Sequence, residues 1–155
     1  MRQWVIEAAT TLPLLHIADP TGEALVAAGI TRVGLLGTGF TMDQPFYADR
    51  LRENFGLDVL VPQPDDREAV HRIIYDELVL GDIRPASREV YRAVMQRLVD
   101  AGAEAIILGC TEITLLVGQD DATVSLFDTT TLHAVAAVER ALLLRAARRR
   151  GVRLV

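Results

Sequence analysis

Two kinds of stretch alternate along this 155-residue chain. Short, nearly unbroken apolar runs, Val33-Gly34-Leu35-Leu36 after Arg32 and Ala105-Ile106-Ile107-Leu108, have the length and content of strands buried on both faces. Between them apolar residues recur every three or four positions: Val70, Ile73, Ile74 and Leu78 within 65–80, and Val90, Val94 and Leu98 within 87–101. That spacing is the signature of amphipathic helices. Weaker signals add strands at 57–61 and around 124–127, a helix at 43–54, and a loop at 37–42. Asp19 and Pro20 read as N-cap and first position of a helix over 21–28, and Asp128-Thr129-Thr130-Thr131 as the cap of a final helix reaching about Arg150. Gly29, Gly56, Gly81 and Gly102 stand where the intervening helices should stop. At the start, residues 2–10 read as a helix end and 12–17 as a strand with Pro13 near its beginning. Strands alternating with helices predict an α/β fold: a parallel sheet wound in right-handed βαβ units.

Composition narrows the classes. Half the residues are hydrophobic and a quarter charged, and the length suits one domain with a sizeable core. A net charge of −5 gives no general argument for nucleic acid. No apolar run approaches a membrane span, and Met1-Arg2-Gln3-Trp4 does not lead into a signal peptide. One cysteine cannot form an internal disulfide, so a reducing, cytoplasmic setting is expected. All sixteen basic residues are arginine. A chain without lysine cannot hold pyridoxal phosphate as a Schiff base or complete a Walker A loop.

The single thiol, Cys110, follows the apolar run 105–108 in Leu108-Gly109-Cys110-Thr111-Glu112. The C-terminal end of a parallel strand is where open α/β sheets bind their ligands, which makes Cys110 a nucleophile or base candidate rather than a small buried hydrophobe. Backbone N–H groups of a helical turn opened by Cys110-Thr111-Glu112 are expected to favour its thiolate. Gly37-Thr38-Gly39 is no dinucleotide fingerprint, since the third glycine would stand at Met42. An anion site for a carboxylate, built from Thr38, Thr41 and backbone N–H groups, competes with an ordinary strand-to-helix turn. Of the histidines, His16 and His133 read as packed residues that approach a cleft, and His71 as a surface residue of an amphipathic helix. Asp65-Asp66 and Asp120-Asp121 lack further ligands at metal spacing. Arg145 and Arg148-Arg149-Arg150 read as a solvated helix end. Arg84 and Arg88 are candidates for a substrate's distal carboxylate, weighed against a surface role.

Several pieces, in order, resemble the aspartate/glutamate racemase family: Leu12-Pro13-Leu14-Leu15-His16-Ile17-Ala18-Asp19, Val33-Gly34-Leu35-Leu36-Gly37-Thr38 with Phe40-Thr41-Met42, Ile73-Ile74-Tyr75-Asp76-Glu77-Leu78, Ala86-Ser87-Arg88, Leu108-Gly109-Cys110-Thr111-Glu112-Ile113, and Asp128-Thr129-Thr130 with His133-Ala134. The resemblance implies a flavodoxin-like lobe, a parallel sheet with helices on both faces, and cofactor-independent inversion of an acidic amino acid between two such lobes. It implies that Cys110 is one of two acid/base residues, and that Thr38, Thr41 and Thr111 hold the substrate carboxylate. It divides the chain into the tail of a first lobe (1–18), a second lobe (19–127) and a returning C-terminal helix (128–155). The Cys- or Thr-Asn-Thr motif of the first lobe does not occur ahead of Leu12. Two expectations follow. Either a first lobe or another copy of the chain meets the surface near residues 1–18, or the chain is an inactive remnant that binds a small acid or associates with another chain. No nucleic acid, membrane or metal partner is expected.

Overall fold

The computed structural model describes residues 14–149. Within them, α1 (Ala18–Ala27) leads into β1 (Arg32–Leu36), a short α2 (Gly39–Asp43), α3 (Pro45–Phe55) and β2 (Asp58–Leu60). Then follow α4 (Pro64–Asp76), a 3-10 turn (Leu78–Leu80), α5 (Pro85–Asp100) and β3 (Ala105–Leu108). The one-turn α6 (Ile113–Leu116), a second 3-10 turn (Gln119–Asp121), β4 (Ser125–Asp128) and α7 (Thr129–Arg149) complete the chain as described. The strands form one parallel sheet in the order β2-β1-β3-β4.

Period-two alternation loads the sheet on both sides. Val33, Leu35, Ala105 and Ile107 face a core shared with α1 and α3, and α7 packs on α1. Leu36, Ile106 and Leu108 face a second core formed with α4 and α5, which includes Tyr91, Val94, Met95 and Leu98. Gly34 belongs to this second face, where a Cβ would come within 2.7 Å of the Ile106 side chain and 2.9 Å of Leu98. Its bareness lets α5 lie close on the sheet. The α/β fold with helices on both faces is thus the observed architecture. β1 and β3 span the residues their apolar runs indicate, and Gly29, Gly56, Gly81 and Gly102 all stop helices with positive φ.

Four expectations are corrected. The strand at 12–17 does not form where the structure describes it: residues 14–16 are irregular and α1 begins at Ala18. His16 explains this, because its Nδ1 accepts the Ala18 N–H (3.1 Å) and its carbonyl the Asp19 N–H (3.0 Å), capping the helix from outside. Asp19 is thereby released from capping and forms a bidentate pair with Arg50 on α3. The expected helix end at 2–10 lies outside the described residues. The loop at 37–42 is largely helical, with the Thr38 hydroxyl accepting the Thr41 N–H as N-cap of α2. The helix expected over 65–80 breaks at Glu77 (φ −126°), whose carboxylate is drawn to the Ser87 hydroxyl and the Arg84 guanidinium, and the chain ends in the 3-10 turn.

Candidate active site

In the order β2-β1-β3-β4, the chain leaves β1 towards one side of the sheet and returns at β3 on the other. The C-terminal ends of these two strands form the topological switch point, where the loops diverge and leave a crevice. Thr38 leaves β1 there and Cys110 leaves β3. Seventy-odd residues of sequence therefore collapse into one mouth.

The two loops approach through glycines. The Gly109 N–H donates to the Leu36 carbonyl at 2.7 Å, and a Cβ on Gly109 would stand 2.8 Å from that oxygen and 3.4 Å from the Thr41 methyl. A Cβ on Gly37 would meet Thr41 at 3.0 Å. The Thr41 methyl is thus wedged between the two loops, and its hydroxyl lies 3.2 Å from that of Thr38. Both threonines are half-buried at the mouth. His71 on α4 supports the same loop, its Nδ1 accepting the Gly39 N–H at 3.0 Å while its ring packs on Tyr75. His71 is therefore no mere surface residue. Its role escapes sequence reading because its partner lies 32 residues away.

Cys110 is half-buried and free. Its Sγ–H donates to Glu112 Oε2 at 2.8 Å. Burial first, and then this bond to the carboxylate, push the thiol up to about 11, although the backbone N–H groups of Thr111 and Glu112 pull the other way. The sequence expectation of a thiolate favoured by those N–H groups is corrected: they are present, but α6 is a single turn and the acid two residues on outweighs them. The Thr111 hydroxyl also bonds Glu112, and together the Cys110 thiol and then Thr111 hold that carboxyl below the usual range. Thr111 is therefore engaged with Glu112 rather than directed at the Thr38–Thr41 pair. Behind the sulfur, the buried Tyr91 phenol is raised, first by burial and then by Cys110 and Glu77, and its hydroxyl donates to the Val70 carbonyl.

The arginine candidates are committed elsewhere. Arg88 forks onto Asp121, whose side chain is 2 % exposed, and Arg84 pairs with Asp82 and Glu77. His16 caps α1, and its imidazole is held below its ordinary value by burial and then by Arg50. His133 also acts on His16 in the same direction, and its own Nδ1 is buried without a hydrogen-bond partner. Among the described residues, no group of three or more His, Cys, Asp or Glu is placed to hold a metal, and no helix is long and apolar enough to cross a membrane. Around the mouth stand exposed apolar side chains: Phe40 on α2 with its ring 5.5 Å from Phe46, Leu115 on α6, and Leu80 on the neighbouring 3-10 turn.

Residues 5–137 match the family described as Asp/Glu/Hydantoin racemase. The chain belongs to this racemase family. A crystal structure from Yersinia pestis, assigned as an Asp/Glu racemase, is 55% identical to this family member over the matched residues and superposes with a TM-score of 0.86. It is matched over 88% of the present chain and 60% of its own. An aspartate racemase homologue from Pyrococcus horikoshii OT3 is 34% identical with a TM-score of 0.80, over the same shares of the two chains. An uncharacterized protein of the pnlA 3' region in Pectobacterium carotovorum subsp. carotovorum is 38% identical over 107 residues, 69% of each chain. This racemase-family chain thus spans 60% of the length of these two solved relatives.

Proposed function

We propose that the chain is the Cys110-bearing half of a cofactor-independent racemase for acidic amino acids of the aspartate/glutamate class. The observation that carries this reading is the convergence of Cys110, Thr38 and Thr41 at the β1/β3 switch point. The aspartate racemase homologue and the Asp/Glu racemase assignment among the solved relatives support the substrate class. With no lysine among its residues, this half does not itself hold pyridoxal phosphate as a Schiff base.

In this reading Thr38 and Thr41 hold the α-carboxylate, with Thr111 recruited when its bond to Glu112 is exchanged for one to the substrate. The Cα hydrogen is then presented to one acid/base group, and Cys110 faces the opposite side. Inversion requires both: one group takes the proton from Cα, the carbon flattens, and the other returns a proton to the opposite face. Cys110 is one of the pair. We assign the other to a first lobe, equivalent to the part of the solved relatives that this chain does not span, and that lobe would cover the exposed Phe40, Phe46 and Leu115. Residues 1–18 are then the tail of the first lobe, 19–127 form the second, and 128–155 return towards the first. A reducing cytoplasm suits the free thiol.

The test is Cα deuterium uptake from heavy water into each enantiomer of aspartate and glutamate, alone and with a first-lobe partner. Uptake abolished by Cys110→Ser is expected. Uptake no greater than that of the Cys110→Ser control in every combination would refute the catalytic reading and leave a chain that binds a small acid or associates with another chain.

A further inference from the structure

The racemase reading gives the sulfur a task and leaves the acid beside it without one. Glu112 is half-buried, lies two residues beyond Cys110, and turns its carboxylate back onto the thiol at 2.8 Å instead of outward to water. Both hydroxyl-type donors of the loop, the Cys110 Sγ–H and the Thr111 Oγ1–H, converge on it. Among the described residues, Arg84 and Arg88, the nearest motif cations in sequence, are bound to Asp82 with Glu77 and to Asp121. Among the described residues, the groups that act on the sulfur include no arginine. From α5 the buried Tyr91 phenol feels the sulfur, and Glu77 in turn acts on that phenol, while from its own loop Glu112 meets the sulfur directly.

We infer that Glu112 is a positioning residue for Cys110: it fixes the rotamer of the thiol by accepting its hydrogen, and keeps the sulfur protonated so that Cys110 meets a bound acid as the proton donor. The inference rests on the racemase reading for its chemical meaning, but not for its test. In turnover the Cα proton goes to the group on the opposite face, and the Cys110 S–H bond breaks as the new Cα–H bond forms. The electron pair of the S–H bond stays on sulfur as a thiolate. That thiolate stands against the Glu112 carboxylate, two anions in contact, so it draws a proton back strongly. Glu112 therefore favours one of the two protonation states a two-base racemase must alternate between. Because the two enantiomers have equal free energy, this bias cannot appear as a difference in kcat/KM between them, and it must be read on the thiol itself.

The chain contains one cysteine, so alkylation by iodoacetamide reports Cys110 alone. Rates are measured from pH 6 to 11 for the whole chain and for Glu112→Gln and Glu112→Asp, with circular dichroism confirming the fold. The wild-type rate is expected to keep rising beyond pH 10, with no plateau near the ~8.5 of an unperturbed thiol. Glu112→Gln, which keeps the shape and removes the charge, is expected to react about tenfold faster at pH 8, the change that one unit of pKa produces. Glu112→Asp, which keeps the charge but shortens the reach, should fall between the two. A Glu112→Gln profile that overlays the wild type would overturn the inference. So would a wild-type plateau at or below pH 9, which needs no variant. Deuterium uptake plays no part in these readings, so loss of the racemase proposal and loss of this one are separate results.

Discussion

The mouth depends on two loops being able to touch, and Gly109→Ala tests that directly. The added methyl would lie 2.8 Å from the Leu36 carbonyl oxygen, 3.2 Å from the Leu35 side chain and 3.4 Å from the Thr41 methyl. The nearest of these is backbone, held by the 2.7 Å bond from Gly109 itself, so it cannot swing aside as a flexible side chain would. Either that bond lengthens or β1 and β3 part by several tenths of an ångström at their C-terminal ends. Overpacking of this kind costs about 1–3 kcal/mol. For a chain of this size each kcal/mol lowers Tm by roughly 2–4 °C, so a fall of about 2–12 °C is expected. Gly118→Ala is the matched control: nothing lies within 4 Å of its Cβ position and its φ of −134° is open to alanine, so its Tm should hold or rise slightly. Thermal unfolding followed by circular dichroism measures both. A Gly109→Ala protein melting within a degree of wild type would refute the claim that the two loops are in contact.

Two further outcomes follow from the same region. The folded protein holds the Cys110 proton more tightly than the unfolded chain, so its contribution is complete below about pH 9 and is lost as pH rises through about 11. The full shift corresponds to about 3 kcal/mol, which solvent screening at this half-exposed sulfur reduces to about 1–2 kcal/mol; urea midpoints measured between pH 8 and 11 should fall for wild type more steeply than for Cys110→Ala, and parallel curves would contradict the assignment. Thr129, 2 % exposed, donates to the Leu108 carbonyl at 3.0 Å and ties α7 to the end of β3. Thr129→Val should cost about 1–2 kcal/mol in urea unfolding by stranding that oxygen, while Thr129→Ser should cost less because it keeps the bond; equal losses would show that the methyl, not the hydroxyl, matters.

What could be read along the chain was what the chain settles locally. β1 and β3 announce themselves because a strand buried on both faces leaves a contiguous apolar run, and the four helix stops because only glycine takes positive φ freely. The placement of Cys110 at a strand end followed from the same contiguity. What escaped was decided across distance. His16 caps a helix instead of extending a strand, Asp19 turns to Arg50 31 residues on, and Arg88 is claimed by Asp121 33 residues on. The thiol shows the limit even at short range. Cys110-Thr111-Glu112 puts donor N–H groups and a carboxylate within the same few residues, and the string does not say which of them the sulfur faces.

Gly34 has a consequence for the mouth that lies a few residues further along its strand. If β1 slid by one position, a step of about 3.3 Å, Leu35 would have to enter the space that Leu98 and Ile106 occupy, and both cores would exchange their contents. A vacancy the size of a methyl group thus acts as a keyway. It admits one alignment of β1 against β3, and so the spacing between Thr38 and Cys110 is metered upstream, by an atom the chain leaves out.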